Sequence, residues 1–482
     1  MVVKNLYEKV ADRISGLILE GTLKSGDRLP SVRKLHKQLS VSISTVLEAY
    51  RLLEDKGLIV ARPQSGYYVK QSLAIASEEP KLSDPPISIS TVDTSLVARI
   101  YGDINKPGIV KLGAAIPSPE ILPVAALNRL MGKVIRDRSS LIHSYHTPEG
   151  CQSLRQEIAK RAIDIGCYLN PDSIIITNGT TEAVYLALKS VTKPGDTVAI
   201  ESPSYYGLLQ TLESLHLKAL ELPTDPKYGI SLEHLATALD RGGIAACALV
   251  SNFSNPLGSC MSDAKKRSLV KLLDRYNIPL IEDDIYGDLY FTENRPKAIK
   301  AFDTRGRVLY CTSVSKILSP GLRVGWIIPG CYQTEVKRLK MVLNLTTAIA
   351  TQLTVAAFLN NGGYDRHLRK MRQTYRVQMD RIRAAICNYF PPQTKITRPQ
   401  GGQVLWVELP GTIDVMNLYD RALEYQISIA PGMIFSPSKS YNNCFRINCG
   451  LPWSEDIDRA IQILGALSQQ QLANKVLTSK YS

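Results

Sequence analysis

From about residue 109 onward, short apolar runs rich in β-branched side chains alternate with longer stretches of helical periodicity. The runs include SIIIT (173–177), TVAIE (197–201), AACALV (245–250), IPLIED (278–283) and RVLYCTS (307–313). Strands separated by helices pair as βαβ units, and such units build a mostly parallel sheet. The expected class is therefore α/β. At 482 residues the chain is too long for one compact core, so two or more domains are expected. No internal repeat is visible.

Three parts stand out. Residues 1–70 form a small module ending in GYYVK. Residues 71–108 are rich in Ser, Pro and Asp, and Pro85-Pro86 argues against helix there, so this stretch reads as a linker. Residues 109–475 carry the strand–helix alternation. The N-terminus is amphipathic and charged, with no apolar core of a secretory signal. No run of about 18 uncharged apolar residues crosses a membrane. The nine cysteines are scattered without a CxxC pair, which points to reduced thiols in a cytoplasmic protein and to no metal site. A net charge of +14 favours an anionic partner, nucleic acid or a phosphorylated ligand, without choosing between them.

In the small module, Leu6, Val10, Ile14, Leu17 and Ile18 share one face of a helix over 5–20. Gly21 and Gly26 break it. Pro30-Ser31 starts a second helix through Leu39. Ser42 or Ser44 caps a third, which stops at Gly57. Two short strands then flank a turn, LIVARPQSGYYV. Three helices and a two-stranded wing make a winged helix-turn-helix. The third helix would offer Ser42, Ser44 and Thr45 to the major groove, with Arg33 placed for a phosphate or a guanine. Lys34, Lys37, Arg62 and the Ser65-Gly66 wing tip add backbone contacts. The module holds 12 Lys and Arg against 7 Asp and Glu, a modest basic excess. On charge alone, a helical bundle for protein contacts accounts for it equally well.

The large region offers a set of groups that one cofactor would need. A phosphorylated pyridine aldehyde requires an anion site, an acid for the ring nitrogen, a stacking face, a donor for the phenolic oxygen and an amine. In SIIITNGTTEAVYLALK a strand turns through glycine into a helix, whose first N–H groups, at Thr180 and Thr181, can hold a phosphate. An ordinary strand–helix corner looks the same. In ESPSYYG, Tyr205 can cover one cofactor face, with Tyr206 as its rival and core packing as the plain alternative. Asn255, in SNFSNPLG, can donate to the phenolic oxygen or merely shape a turn. Asp283 ends the strand IPLIED, where an acid is costly unless paired, and can keep the ring nitrogen protonated. Tyr286 follows three residues later. A metal site from Glu282, Asp283 and Asp284 is the alternative there.

The strongest local signal is CTSVSKILSPGLRVGW. Lys316 follows a strand in an apolar setting of small residues that can lower its pKa. Ser313, Ser315 and Arg323 surround it as phosphate ligands. A lone lysine is usually a solvated surface residue, but the two serines and the arginine argue otherwise. Arg446 sits inside the apolar strand of CFRINCG. A buried arginine wants a carboxylate, either from a substrate or from an internal ion pair.

Two resemblances sharpen these expectations. The pattern G-x-L-x-x-G-x-x-L-P-S-x-R-x-L, followed by T-V-x-x-A-Y-x-x-L-x-x-x-G, closely resembles the GntR-type DNA-binding domain. Ile43 and Leu47 stand where many relatives carry a basic or polar contact residue. The set SVSKILSPGLRVGW, EDDIY and NPLG resembles fold-type-I aminotransferases. That resemblance implies pyridoxal 5′-phosphate on Lys316 and a small C-terminal α+β subdomain. It also implies that Tyr145, in SYHTPEG, reaches the phosphate of the neighbouring subunit, and that Gly113 contacts substrate through its backbone. The order of the parts resembles MocR-type GntR regulators, which implies a homodimer in which operator DNA and an amino acid or amine effector are linked through aldimine exchange. A working aminotransferase with an appended DNA-binding domain is the second expectation.

Overall fold

A computed structural model of the chain describes residues 5–19, 22–23, 26–55, 58–62, 65–69, 77–85 and 89–480. The chain divides into two compact units, 1–76 and 77–482.

The first unit contains helices Leu6–Leu19, Val32–Leu39 and Ile43–Asp55 and the antiparallel strands Ile59–Arg62 and Gly66–Val69. Local chemistry sets the helix starts. Ser31 Oγ accepts from Lys34 N at 3.2 Å. Ser42 Oγ accepts from Thr45 N at 3.0 Å, so Ser42 rather than Ser44 caps the third helix. Tyr50 is buried on that helix and donates to Pro30 O at 2.5 Å, which ties it to the start of the second. Val10, Ile14, Leu35, Val46, Leu53 and Val69 close the core. Leu6, expected on the buried face, is exposed. Gly21, Lys56, Gly57 and the turn at 63–64 lie outside the described residues.

The second unit is built on a nine-stranded sheet. Strands Lys218–Asp225, Thr197–Ser202, Ile244–Leu249, Leu280–Asp283 and Val308–Ser313 run parallel in that spatial order. Gly325–Ile328 pairs antiparallel with the last of them and with Ile175–Thr177. Ile175–Thr177 therefore points the same way as the parallel set. A four-stranded antiparallel sheet, Lys395–Ile396, Val404–Glu408, Cys444–Asn448 and Ala430–Pro431, forms the C-terminal α+β part. The long helix Gly363–Tyr389 precedes it in the chain. No helix among the described residues is long and apolar enough to cross a membrane. All nine cysteines are unpaired.

The expected linker over 71–108 needs correction. Residues 70–76 and 86–88 lie outside the described residues. Ser83, however, donates through its hydroxyl to Ser202 O at 2.6 Å. Strand Ile89–Thr91 joins the edge of the large sheet, and Ser95–Ile104 is a helix. Val97, Ile100 and Ile104 are buried in the core of the C-terminal part. Burying each contributes roughly 1.5–3 kcal/mol, enough to hold as helix a segment whose composition looks like a loop.

Candidate functional site

The strands at the heart of the large sheet all end at one place, which is where open α/β sheets gather ligands. A cavity of about 320 Å³ opens there. It is lined by Thr180, Thr181, Tyr205 and Asn255 from the first half of the domain. Asp283, Tyr286, Ser313, Ser315, Lys316 and Arg323 line it from the second.

The anion end is built around Gly179. Its φ is +83°, and a Cβ there would run into the Arg323 guanidinium, so glycine is required. Helix Thr180–Val191 starts directly after it with no side-chain cap. The Thr180 hydroxyl is buried without a hydrogen-bond partner among the described residues. Arg323 donates through Nη2 to Asn178 O at 2.7 Å and through Nη1 to Ser315 Oγ at 3.5 Å. Uncapped N–H groups, an orphaned hydroxyl and a guanidinium together form a donor set that a phosphate completes.

The acid and the amine line the same cavity. Burial, with the charges of Arg446 and Arg323 and against that of Asp283, lowers Lys316 from 10.5 to about 8. Its Nζ donates to Ala115 O at 2.7 Å. Burial, with the charges of Asp284 and Glu282 and against the Ile285 N–H and Lys316, raises Asp283 from 3.8 to about 7. Only Ile285 N, at 3.1 Å, donates to its side chain among the described residues. A cationic partner such as a protonated ring nitrogen would bring that carboxyl back to its charged form.

The metal alternative fails on geometry. Glu282 turns to Ser251 Oγ, Ile299 N and Lys300 N. Asp284 turns to Asn252, Arg295 and Tyr310. Only Asp283 lines the cavity, because successive strand residues face opposite sides. Among the described residues no His, Cys, Asp and Glu group could hold a metal ion.

The two adjacent tyrosines divide their roles. Tyr206 is buried against Phe435 in the core, although one edge reaches the cavity. Tyr205 is partly exposed to the cavity, and its ring lies so close to Gly207 that no Cβ fits there. Asn255 Nδ2 donates to Tyr286 OH at 3.3 Å, which places two polar groups side by side for one ligand oxygen.

Arg446 is fully buried. It donates to Asn255 Oδ1 at 2.9 Å and to Gly113 O, and its Nε has no hydrogen-bond partner among the described residues. Among the described residues no carboxylate pairs with it, so no internal ion pair is seen there. Gly113 packs directly on the Ile429 backbone, with no room for a side chain. Tyr145 does not line the cavity and is 87% exposed.

Sequence reasoning missed the helix Ser95–Ile104, from which Tyr101, Ile104 and the following Asn105 line the same cavity. Their signal was the spacing of Val97, Ile100 and Ile104. It also missed Gln403, whose Nε2 donates to Ala115 O at 2.8 Å beside Lys316.

On the first unit, Arg33, Ser42, Ser44, Arg62 and Gly66 are exposed and Thr45 is partly so. Ile43, at the start of the third helix, is exposed as well. The Arg62 guanidinium lies 4.5 Å from the centre of the Tyr68 ring.

Residues 108–464 match the aminotransferase class I and II family, and residues 6–69 match the gntR family of bacterial regulatory proteins. YdcR of Escherichia coli, described as an uncharacterized HTH-type transcriptional regulator, is 39% identical over 97% of this chain and 99% of its own length. A multiple substrate aminotransferase from Thermococcus profundus superposes with a TM-score of 0.73 at 26% identity, covering 79% of this chain and 96% of that one. An alpha-aminoadipate aminotransferase from Thermus thermophilus, complexed with N-(5′-phosphopyridoxyl)-L-leucine, gives 0.72 at 26%, covering 78% and 97%.

Proposed function

The chain belongs to the aminotransferase class I and II family, joined to a gntR-family module as in HTH-type transcriptional regulators, and on that premise we propose that ligand binding at Lys316 sets its affinity for DNA. It is a pyridoxal-phosphate-dependent DNA-binding transcription regulator. The observation that carries the sensing role is the cavity itself, which gathers Lys316, Asp283 and the Arg323 anion site beside a helix near the start of the large unit.

When bound, the cofactor supplies an aldehyde that condenses reversibly with amines and a ring that withdraws electrons from the adjoining carbon. Lys316 is its covalent anchor. Thr180, Thr181, Ser313, Ser315 and Arg323 hold its phosphate. Asp283 keeps a proton on the ring nitrogen, Tyr205 covers one face, and Asn255 with Tyr286 orients the phenolic oxygen. Arg446, fully buried and bonded to the cavity-lining Asn255, is the proposed partner for the carboxylate of an amino acid. A ligand that fills the cavity meets Tyr101 and Ile104, and any difference in affinity between two poses of that helix shifts their populations. Tyr101→Ala is expected to weaken the effector's influence on DNA affinity at least fivefold while cofactor absorbance stays unchanged. An unchanged influence, measured by titrating DNA at saturating effector, removes the helix from the account.

The protein is proposed to act as a homodimer in the cytoplasm, where its DNA lies. Exposed Tyr145, with exposed Met341, Val342, Leu343 and Leu345, supplies the apolar surface that such pairing would cover. At the DNA, Arg33, Ser44, Thr45, Arg62 and Gly66 are the proposed contacts. Ser42 both caps its helix and offers its hydroxyl, and Ile43 suits a thymine methyl. Arg33→Ala is expected to lower operator affinity about tenfold or more. Equal affinity of variant and wild type across a salt series contradicts that contact.

Turnover is a second reading, favoured by the complete residue set. A Lys316 amine with a pKa of about 8 is suited to move the ligand's Cα proton. Footprinting separates the two. Protection of the promoter beside the protein's own gene, altered by an amino acid, supports regulation. Multiple turnover with an oxo acid and no protected DNA sinks it.

A further inference from the structure

A second cavity, of about 300 Å³, lies against the long helix and away from the Lys316 cavity. Arg376, Asp380 and Arg383 face it from one side of helix Gly363–Tyr389, as their spacing of four and three dictates. Arg398 faces it from the segment after strand Lys395–Ile396.

Arg383 is the unusual member. It is 9% exposed, and its Nε and Nη2 have no hydrogen-bond partner among the described residues. Burial and the nearby Arg398 both work against its charge, with Asp380 and Glu79 in partial compensation. A buried guanidinium with idle donors costs free energy unless an acceptor meets it. Glu79 lies 3.6 Å from Arg398 in a half-exposed pair, and Asp380 has interactions of its own. Three guanidiniums therefore face two carboxylates, of which Glu79 is paired with Arg398 itself, so the cluster keeps an excess of positive charge.

We propose that Arg376, Arg383 and Arg398 form a binding site for a small phosphate-type oxyanion, separate from the Lys316 cavity. Planar guanidinium forks match the oxygens of a tetrahedral dianion. The cavity holds more than a bare phosphate, so phosphate on a small organic body fits its shape. Arg398 also donates to Ser77 O at 2.9 Å, so the site adjoins the first described residues of the large unit.

The test uses full-length, cofactor-loaded protein, whose own phosphate site is filled. Inorganic phosphate and glycerol 3-phosphate are titrated calorimetrically against sodium chloride of equal ionic strength. The wild type is expected to bind phosphate saturably with no change in cofactor absorbance, and chloride is expected to give no binding. Arg383→Met and Arg376→Gln are each expected to weaken binding at least tenfold. In phosphate-free buffer Arg383→Met is also expected to melt no lower than the wild type, since an uncompensated buried charge has gone. If that variant fails to fold, Arg376→Gln decides alone. Tighter binding of the ester identifies a phosphorylated metabolite as the occupant; equal binding identifies free phosphate. No saturable binding by the wild type, or equal binding by wild type and variants, overturns the site.

Discussion

Replacing Lys316 by alanine is expected to abolish all covalently held cofactor. The wild type should be coloured as purified, and borohydride should fix the cofactor to the peptide containing Lys316. Lys316→Ala should show neither. The surroundings predict a pH signature as well. An amine attacks only when unprotonated, and burial brings Lys316 down from 10.5 to about 8. Cofactor capture by the stripped protein should therefore rise about tenfold per pH unit below 8 and level off above it. An unperturbed lysine would keep climbing for about two units more. A rate still rising steeply at pH 10 contradicts the assignment of a desolvated amine. Colour retained in Lys316→Ala contradicts the anchor itself.

The second large effect is expected at Arg446. It is a fully buried cation without a carboxylate partner among the described residues, held by Asn255 Oδ1 and Gly113 O. Truncating one side of a buried charge pair typically costs about 2–5 kcal/mol. Arg446→Met should then weaken an amino acid effector by roughly 10²–10³-fold. An amine of similar shape without the carboxylate should change by less than about threefold. Retained amino acid affinity sinks the anchor. An equal loss for amine and amino acid points instead to a collapsed cavity around Asn255.

Much of this was legible because parallel strands repeat one grammar. Apart from Arg446, inside its strand, the cofactor-site side chains cluster at strand ends and in the turns that follow, where Gly179, Pro203, Pro256 and Gly321 mark the breaks. The three acids of IEDD were also decodable in principle, since alternation along a strand separates Asp283 from Glu282 and Asp284. Other features were not legible. Tyr205 and Tyr206 have the same chemistry, and only the tertiary position of Phe435 assigns Tyr206 to the core. Helix Ser95–Ile104 hid behind a Pro- and Ser-rich composition, because its stability comes from three buried contacts rather than from local propensity. The orphaned donors of Arg383 had no sequence signal at all. A helix rich in arginine reads as a solvated face until its neighbours are known.

The central claim is that occupancy at Lys316 and affinity for DNA are one linked equilibrium. Linkage requires that an effector and DNA change each other's affinity by the same factor. The direct measurement follows cofactor absorbance and DNA binding in the same sample while an amino acid effector is titrated. The expected result is that the absorbance change and the DNA affinity change share one midpoint. Lys316→Ala should bind the same DNA with an affinity the effector does not alter. A full absorbance change with no effect on DNA affinity, or an undiminished effect in Lys316→Ala, contradicts the account.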